Sequence, residues 1–162
     1  MLNLPPQYIQ NGKMEWTDVI KVLSASVVDP EWINLFTAEQ LKWERYTLIQ
    51  PLLFVPDFSV APFLSWRQKY FQDQKMLMFS DLVEINTELH QDEYLNSLID
   101  NFPSETTIIA LLVDEKIFVI EGFRRCCAIA LAVQRQRRLK IHEFKIILAE
   151  CSKKKMIDLG LG

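Results

Sequence analysis

The sequence predicts an α+β domain with a mixed sheet at about residues 80–150, preceded by a helical, aromatic-rich layer. Three observations carry that reading. Apolar residues in the first part recur at helical spacing, and three of the four tryptophans, Trp16, Trp32 and Trp43, precede Pro51. After about residue 80 the pattern changes to short β-favouring runs separated by helical ones. The resulting order is strand, helix, strand, strand, helix, strand, and it includes a two-residue hairpin connection.

Taken in order, Trp16–Val28 carries apolar residues at Trp16, Val19, Ile20 and Leu23 and reads as a helix. Thr37-Ala-Glu-Gln40 resembles a capping box that opens a helix through Tyr46. Pro51, Pro56 and Pro62 interrupt the next stretch, and Phe63–Phe71 reads as a short helix. Leu82–Ile85 is a strand candidate. His90–Asn101 is an amphipathic helix with Tyr94, Leu95, Leu98, Ile99 and Phe102 on one side. Thr106–Val113 reads as a buried strand, Asp114-Glu115 as a tight turn and Lys116–Ile120 as its partner strand. A helix follows over Phe123–Arg138, packing through Ala128, Leu131 and Ala132, and then a strand over Glu143–Ala149. The divisions are an N-terminal extension (1–79), a domain core (80–150) and a basic, flexible tail (151–162), CSKKKMIDLGLG.

Composition fits one soluble globular domain, or one with a helical extension: 162 residues, 49% apolar and 24% charged. The apolar runs Ile108–Val113 and Ala128–Val133 fall far short of the ~20 residues of a spanning helix. The N-terminus lacks the basic-then-apolar layout of a signal peptide. Cys126, Cys127 and Cys151 are odd in number and two are adjacent, which suits neither a disulfide framework nor a paired zinc motif and points to a reducing cytosol.

Charge is unevenly distributed. Residues 124–155 hold ten Lys or Arg against Glu143 and Glu150, a net of +8 in a chain of net −3. The pattern implies an electropositive face on an acidic body, or a solvated surface with no partner.

The segment IFVIEGFRRCCAIAL, residues 117–131, concentrates the chemistry. Gly122 frees the backbone at a strand-to-helix turn. The first N–H groups of the following helix lack intrahelical partners, and the helix dipole adds positive charge there. Arginines at that end oppose the dipole unless an anion occupies the site, so Arg124 and Arg125 read as a phosphate clamp, or else as residues facing solvent or local acids. Glu121 has three candidate roles: ion pair with an arginine, ligand to a divalent ion, or general base. Cys126 and Cys127 are activated thiols or small core residues.

The stretch KIFVIEGFRRCCAIA resembles the glycine-arginine box of the ParB/sulfiredoxin superfamily. ParB proteins carry Gly-Glu-Arg-Arg, two residues and an alanine. Gly122, Arg124, Arg125 and Ala128 match, with Phe123 in place of the glutamate. A second branch carries Asp-Gly-x-His-Arg, which Glu121, Gly122 and Arg125 match. The resemblance spans about residues 80–150, with Tyr94–Phe102 and Thr107–Val113 similar to the preceding helix and strand, although Ile109-Ala110 stands where ParB often has Gln-Pro. It implies a ParB/sulfiredoxin-like mixed sheet with flanking helices, with nucleotide phosphates bound by Gly122, Phe123, Arg124 and Arg125 and ATP or CTP as the ligand. Phe123 occupies the place of the sulfiredoxin catalytic cysteine, which argues against that chemistry. In size and architecture the chain is similar to plasmid-encoded fertility-inhibition proteins of the Osa type. That likeness implies nuclease or ATPase activity, a partner in DNA-transfer or secretion machinery, and a cytoplasmic location or one at the inner membrane through that partner.

Two function classes follow. In the first, the chain is a nuclease or nucleoside triphosphatase. Glu121, Arg124 and Arg125 are then catalytic, Glu121 holds a divalent cation such as Mg with Asp114, Glu115 or Glu84 as helpers, and Arg135, Arg137, Arg138 and Lys140 track a DNA backbone. The basic run alternatively stabilises a helix C-terminus. In the second, the box binds nucleotide without catalysis and the chain acts through a protein partner. The lack of a dense carboxylate cluster favours this class, and His90 and His142 are isolated.

Overall fold

The apolar run Ile108–Val113 lies in β4 (Glu105–Val113), an interior strand with parallel β6 (Glu143–Glu150) on one side and antiparallel β5 (Lys116–Glu121) on the other. Ile108, Ala110 and Leu112 join one apolar cluster, while Ile109, Leu111 and Val113 join another on the opposite face. A strand covered on both faces needs no polar alternation, which explains the uninterrupted run. Asp114 and Glu115 form the expected hairpin turn with left-handed φ of 48° and 65°, the conformation of a type I′ connection.

The computed structural model describes residues 2–24 and 41–161. Around the hairpin it adds β1 (Tyr8–Met14), β2 (Trp43–Leu48) and β3 (Ser59–Val60), giving one six-stranded sheet in the order β1-β2-β6-β4-β5-β3. The described helices are α1 (Trp16–Ser24), α2 (Pro51–Phe54), α3 (Leu64–Tyr70), α4 (Phe79–Ile85), α5 (Glu93–Asp100), α6 (Phe123–Gln134) and α7 (Lys153–Asp158). The molecule is therefore α+β with a mixed sheet, as the sequence predicts. Cys126–Ala132 of α6 are all buried, with the sheet beneath and α4 and α5 alongside, while α1 and α7 supply apolar residues to the other face. Among the described residues no helix is long and apolar enough to cross a membrane.

Several expectations are corrected. Residues 1–79 are not a purely helical layer, because they donate three strands to the sheet. Thr37–Gln40 lies outside the described residues, as does the end of the expected helix over Trp16–Val28, but the helix expected through Tyr46 gives way to β2. Its residues Trp43, Tyr46 and Thr47 favour strands, and β2 is sandwiched between β1 and β6. The buried Glu44 on β2 accepts a hydrogen bond from the Tyr46 hydroxyl and one from the Leu2 N–H at 3.3 Å. Leu82–Ile85 is helical, since Phe79, Leu82 and Val83 bury at i, i+3, i+4 and the Asp81 carboxylate accepts the Met78 N–H at 3.2 Å. The expected helix over His90–Asn101 is a 3-10 turn over Thr87–Gln91 followed by α5, whose N-cap Asp92 accepts the Leu95 N–H at 2.9 Å.

Helix α6 ends at Gln134 rather than Arg138. Gln136 takes a left-handed φ of 56°, and the Gln136 and Arg137 N–H groups bond back to Val133 and Ala132 at 3.0 and 2.8 Å, a Schellman stop. The reversal lets Leu139 reach the core. The expected flexible tail instead forms α7, capped by Ser152, with Met156, Leu159 and Leu161 buried against the sheet. Leu159→Ala is therefore expected to cost about 2–4 kcal/mol in urea unfolding, as removal of a buried leucine does. A loss under about 0.5 kcal/mol would show that the segment does not contribute to the core.

Candidate functional site at the β5–α6 junction

The junction is shaped by two local irregularities. Ala110 pairs with Val119 but Ile109 pairs with Glu121, so Ile120 is an extra residue in β5. A bulge of this kind turns the next side chain out of strict alternation, and it directs Glu121 towards a cleft. Gly122 then adopts φ +104°, and a Cβ there would lie 2.5 Å from Ile108 Cγ2. Both the left-handed backbone and the close approach of β4 demand glycine. Gly122 is also the N-cap of α6; it has no side chain to satisfy the first N–H groups of the helix.

Arg125 is committed inside the protein. Its Nη2 donates to Glu121 Oε1 and Oε2 at 2.8 and 2.9 Å, and its Nη1 donates to Thr106 Oγ1 and the Thr107 carbonyl, both at 2.7 Å. Of the three roles open to Glu121, the structure shows the ion pair. The side chains of Arg125 and Glu121 are 24% and 12% exposed. Burial raises the Glu121 carboxyl above its ordinary range, and the Arg125 charge and hydrogen bonds work against that rise. Desolvation thus offsets much of the attraction, so the pair adds little net stability, although removing either member alone strands the other.

Glu121 and Arg125 line a cleft of about 440 Å³ with Val22 of α1, Glu105, Thr106 and Thr107 of β4, and Glu143 and Lys145 of β6. Lys145 pairs with Glu143 at 3.2 Å. Three carboxylates face two cations in the cleft, and both cations are already paired.

The two arginines do not converge. Arg124 is exposed and lies over the Tyr94 ring of α5, its Cζ 4.7 Å from the centroid. Tyr94 is 56% exposed, so it is a surface shelf and not part of the apolar side expected of this helix, where Leu95 and Ile99 are buried. Phe123 points elsewhere again. Its ring centroid is 4.8 Å from both Trp66 and Tyr70 of α3 and 5.9 Å from Phe79 of α4. Phe123 therefore anchors the helix start in an aromatic cluster.

The other candidates disperse. Asp114 and Glu115 occupy the hairpin turn, and Glu121 lies six residue steps along β5 from Glu115, about 20 Å at ~3.3 Å per residue. Glu84 is exposed on α4. Among the described residues no group of three or more His, Cys, Asp or Glu is placed to hold a metal ion. With both Glu121 oxygens on Arg125, the junction does not fit the expected magnesium site. His90 Nε2 is spent on the Val83 carbonyl at 2.7 Å. Burial pushes the Cys126 and Cys127 thiols up, so they are core residues and not activated nucleophiles.

The basic run divides in two. Arg135 donates to Asn96 Oδ1 and the His90 carbonyl at 2.6 and 2.9 Å, and Arg137 pairs with Asp100 at 2.5 Å. Arg138 and Lys140 are exposed and have no ion-pair partner among the described residues. The i, i+4 spacing of Glu121 and Arg125 is a visible signal for their pairing. Nothing local in the sequence marks Thr106 and Thr107, which only the sheet brings to Arg125. Comparison of the chain with family models, curated proteins and solved structures gives no match.

From sequence, replacing Arg125 is expected to leave stability almost unchanged; its four internal bonds reverse that expectation. Arg125→Ala should cost about 2–3 kcal/mol in urea unfolding, somewhat below a fully buried broken pair because the side chains keep some exposure. Arg125→Lys should recover less than half, lacking the fork. A loss below about 0.5 kcal/mol for Arg125→Ala would show that the clamp contributes nothing to the fold.

Proposed function

We propose that the chain is a ParB/sulfiredoxin-like nucleotide-binding module that holds ATP or CTP phosphates at the Gly122 turn and acts through a partner rather than by hydrolysis. The observation that carries this reading is the engagement of both Glu121 oxygens by Arg125. The one acid at the junction is thereby withdrawn from service as a general base or metal ligand, while the start of the twelve-residue α6 keeps N–H groups that Gly122 does not cap. Arg124, exposed beside that turn, supplies the accessible cation. The strand–glycine–helix unit inside a mixed sheet supports the family reading, and with it a partner of the DNA-transfer or secretion class.

DNA contact, where it occurs, falls to Arg138 and Lys140 rather than to Arg135 and Arg137, whose guanidinium groups already have partners. Phosphates attract cations left free to meet them, and each such contact steepens the salt dependence of binding.

Calorimetric titration with ATP and with CTP, paired with assays of ATP and linear-DNA hydrolysis in the presence of magnesium, tests the reading. Wild type should bind one of the nucleotides without turning it over. Arg124→Ala should weaken that binding about tenfold or more, the usual worth of a hydrogen bond to a charged group. The double change Arg138→Ala/Lys140→Ala should lower DNA affinity and flatten its salt dependence while leaving nucleotide binding unchanged. Hydrolysis that disappears in Glu121→Gln would establish the enzymatic alternative, and no nucleotide binding by wild type would overturn the proposal outright.

A further inference from the structure

We infer that the groove at the turn end of the β4–β5 hairpin docks a basic, amphipathic segment of a protein partner, in which apolar anchors alternate with lysine or arginine. The inference rests on the reading above for the existence of a partner, and it does not depend on nucleotide binding at Gly122.

The groove is apolar and open. Leu112 and Ile117, paired beside the hairpin turn, line a cavity of about 470 Å³ with Tyr8, Phe54, Met76 and Met78. A second cavity of about 870 Å³ reaches from the turn to Glu150 and Ser152, and the two share Leu4, Pro5, Leu112 and Glu115. Met76 and Met78 are 46% and 37% exposed at this surface. Methionine side chains adapt to apolar anchors of varied shape, and grooves lined in this way receive amphipathic segments. The Tyr8 hydroxyl has no hydrogen-bond partner among the described residues, and burial pushes its pKa up to about 12. A desolvated hydroxyl of this kind is a polar group that an occupant of the groove can satisfy.

Charge selects the occupant. Asp57, Asp114, Glu115 and Glu150 line the two cavities, are exposed, and have no ion-pair partner among the described residues. Asp81 joins them, with its carboxylate accepting the Met78 N–H at 3.2 Å. Lys116, whose Nζ lies 3.6 Å from Met76 Sδ, is the one cation among the described residues lining either cavity. Lys153, Lys154 and Lys155 follow Ser152 on α7 but line neither. Five carboxylates facing one ammonium repel nucleic acid and anionic lipid and attract a cationic chain. The acids are spread along the groove and not gathered as metal ligands, so they suit cations spaced along a peptide. Apolar residues at the centre and free charges around them are the layout of a protein interface. Partner docking and phosphate recognition then fall at opposite ends of one hairpin, with Glu121 six residue steps from Glu115.

The test uses the full chain with labelled methionine methyl groups, and a model peptide of leucine and lysine at helical spacing as the probe. A peptide with glutamate in place of lysine is the control. On titration with the leucine–lysine peptide, the Met76 and Met78 methyl signals should shift and saturate while those of Met14 and Met156 stay in place. The glutamate peptide should leave all four unmoved. The double change Asp57→Lys/Glu115→Lys, with a thermal melt confirming its fold, should weaken binding of the lysine peptide about tenfold, since like charges then face one another. Calorimetric titration of that variant with ATP and CTP should match wild type. Equal binding of both peptides, or shifts confined to Met14 and Met156, would overturn the inference. So would no binding of the lysine peptide by wild type, and each of these results leaves the nucleotide reading intact. Peptide binding without nucleotide binding would do the reverse. Met76 and Met78 signals that move on dilution of the protein alone would show that a second copy fills the groove, and would overturn its assignment to a partner. Should the double variant fail to fold, the two wild-type titrations decide.

Discussion

The fork of Arg125 is the contact on which the junction depends. One guanidinium ties the first turn of α6 to the end of β5 through Glu121 and to the beginning of β4 through Thr106 and Thr107. β4 and β5 are the two strands of one hairpin and α6 follows β5 directly, so the clamp closes a strand–strand–helix unit at the end of the hairpin away from its turn. The bulge at Ile120, the left-handed Gly122 and its close approach to Ile108 all serve the same geometry, because each brings the start of α6 down onto β4. Since α6 is the buried helix against which α4 and α5 pack, its entry angle sets the position of that whole layer. A side-chain contact worth little in net stability thus fixes a direction that many apolar contacts then follow.

Charge is where primary and tertiary structure diverge most. A segment of net +8 suggests a broad electropositive face. Folding distributes its cations among separate partners: Arg125 to Glu121, Arg137 to Asp100, Lys145 to Glu143, Arg135 to an amide and a carbonyl, and Arg124 to an aromatic ring. Arg138 and Lys140 keep their full charge towards solvent. Net charge along a sequence counts residues, whereas an attractive field for a polyanion depends on cations that local acids have not neutralised.

The central hairpin, the buried β4 and the glycine junction were legible because each has a local cause. β4 is a run of β-favouring apolar residues, the hairpin is two such runs a turn apart, and Gly122 stands where a strand pattern becomes a helical one. The first third of the chain was less legible. β1 is an edge strand with little burial, and β2 takes its character from being sandwiched between β1 and β6, a long-range fact. Leu82–Ile85 is too short for periodicity to separate strand from helix, and helical burial beginning at Phe79 decides it. The helix at Lys153–Asp158 was hidden by its three lysines, although Met156 and Leu159 carry helical spacing. At the site, adjacency in sequence misled. Residues next to each other on a helix point about 100° apart, so Arg124 and Arg125 serve different neighbours rather than one phosphate.

The clamp is tested most directly by a double-mutant cycle on Glu121 and Arg125, each replaced by alanine singly and together, with unfolding free energies from urea titration. Direct pairing of the two side chains predicts a coupling energy of about 2 kcal/mol, with the double variant less destabilised than the sum of the single ones. Additive losses, with coupling below about 0.5 kcal/mol, would contradict the account and leave the junction without its organising contact.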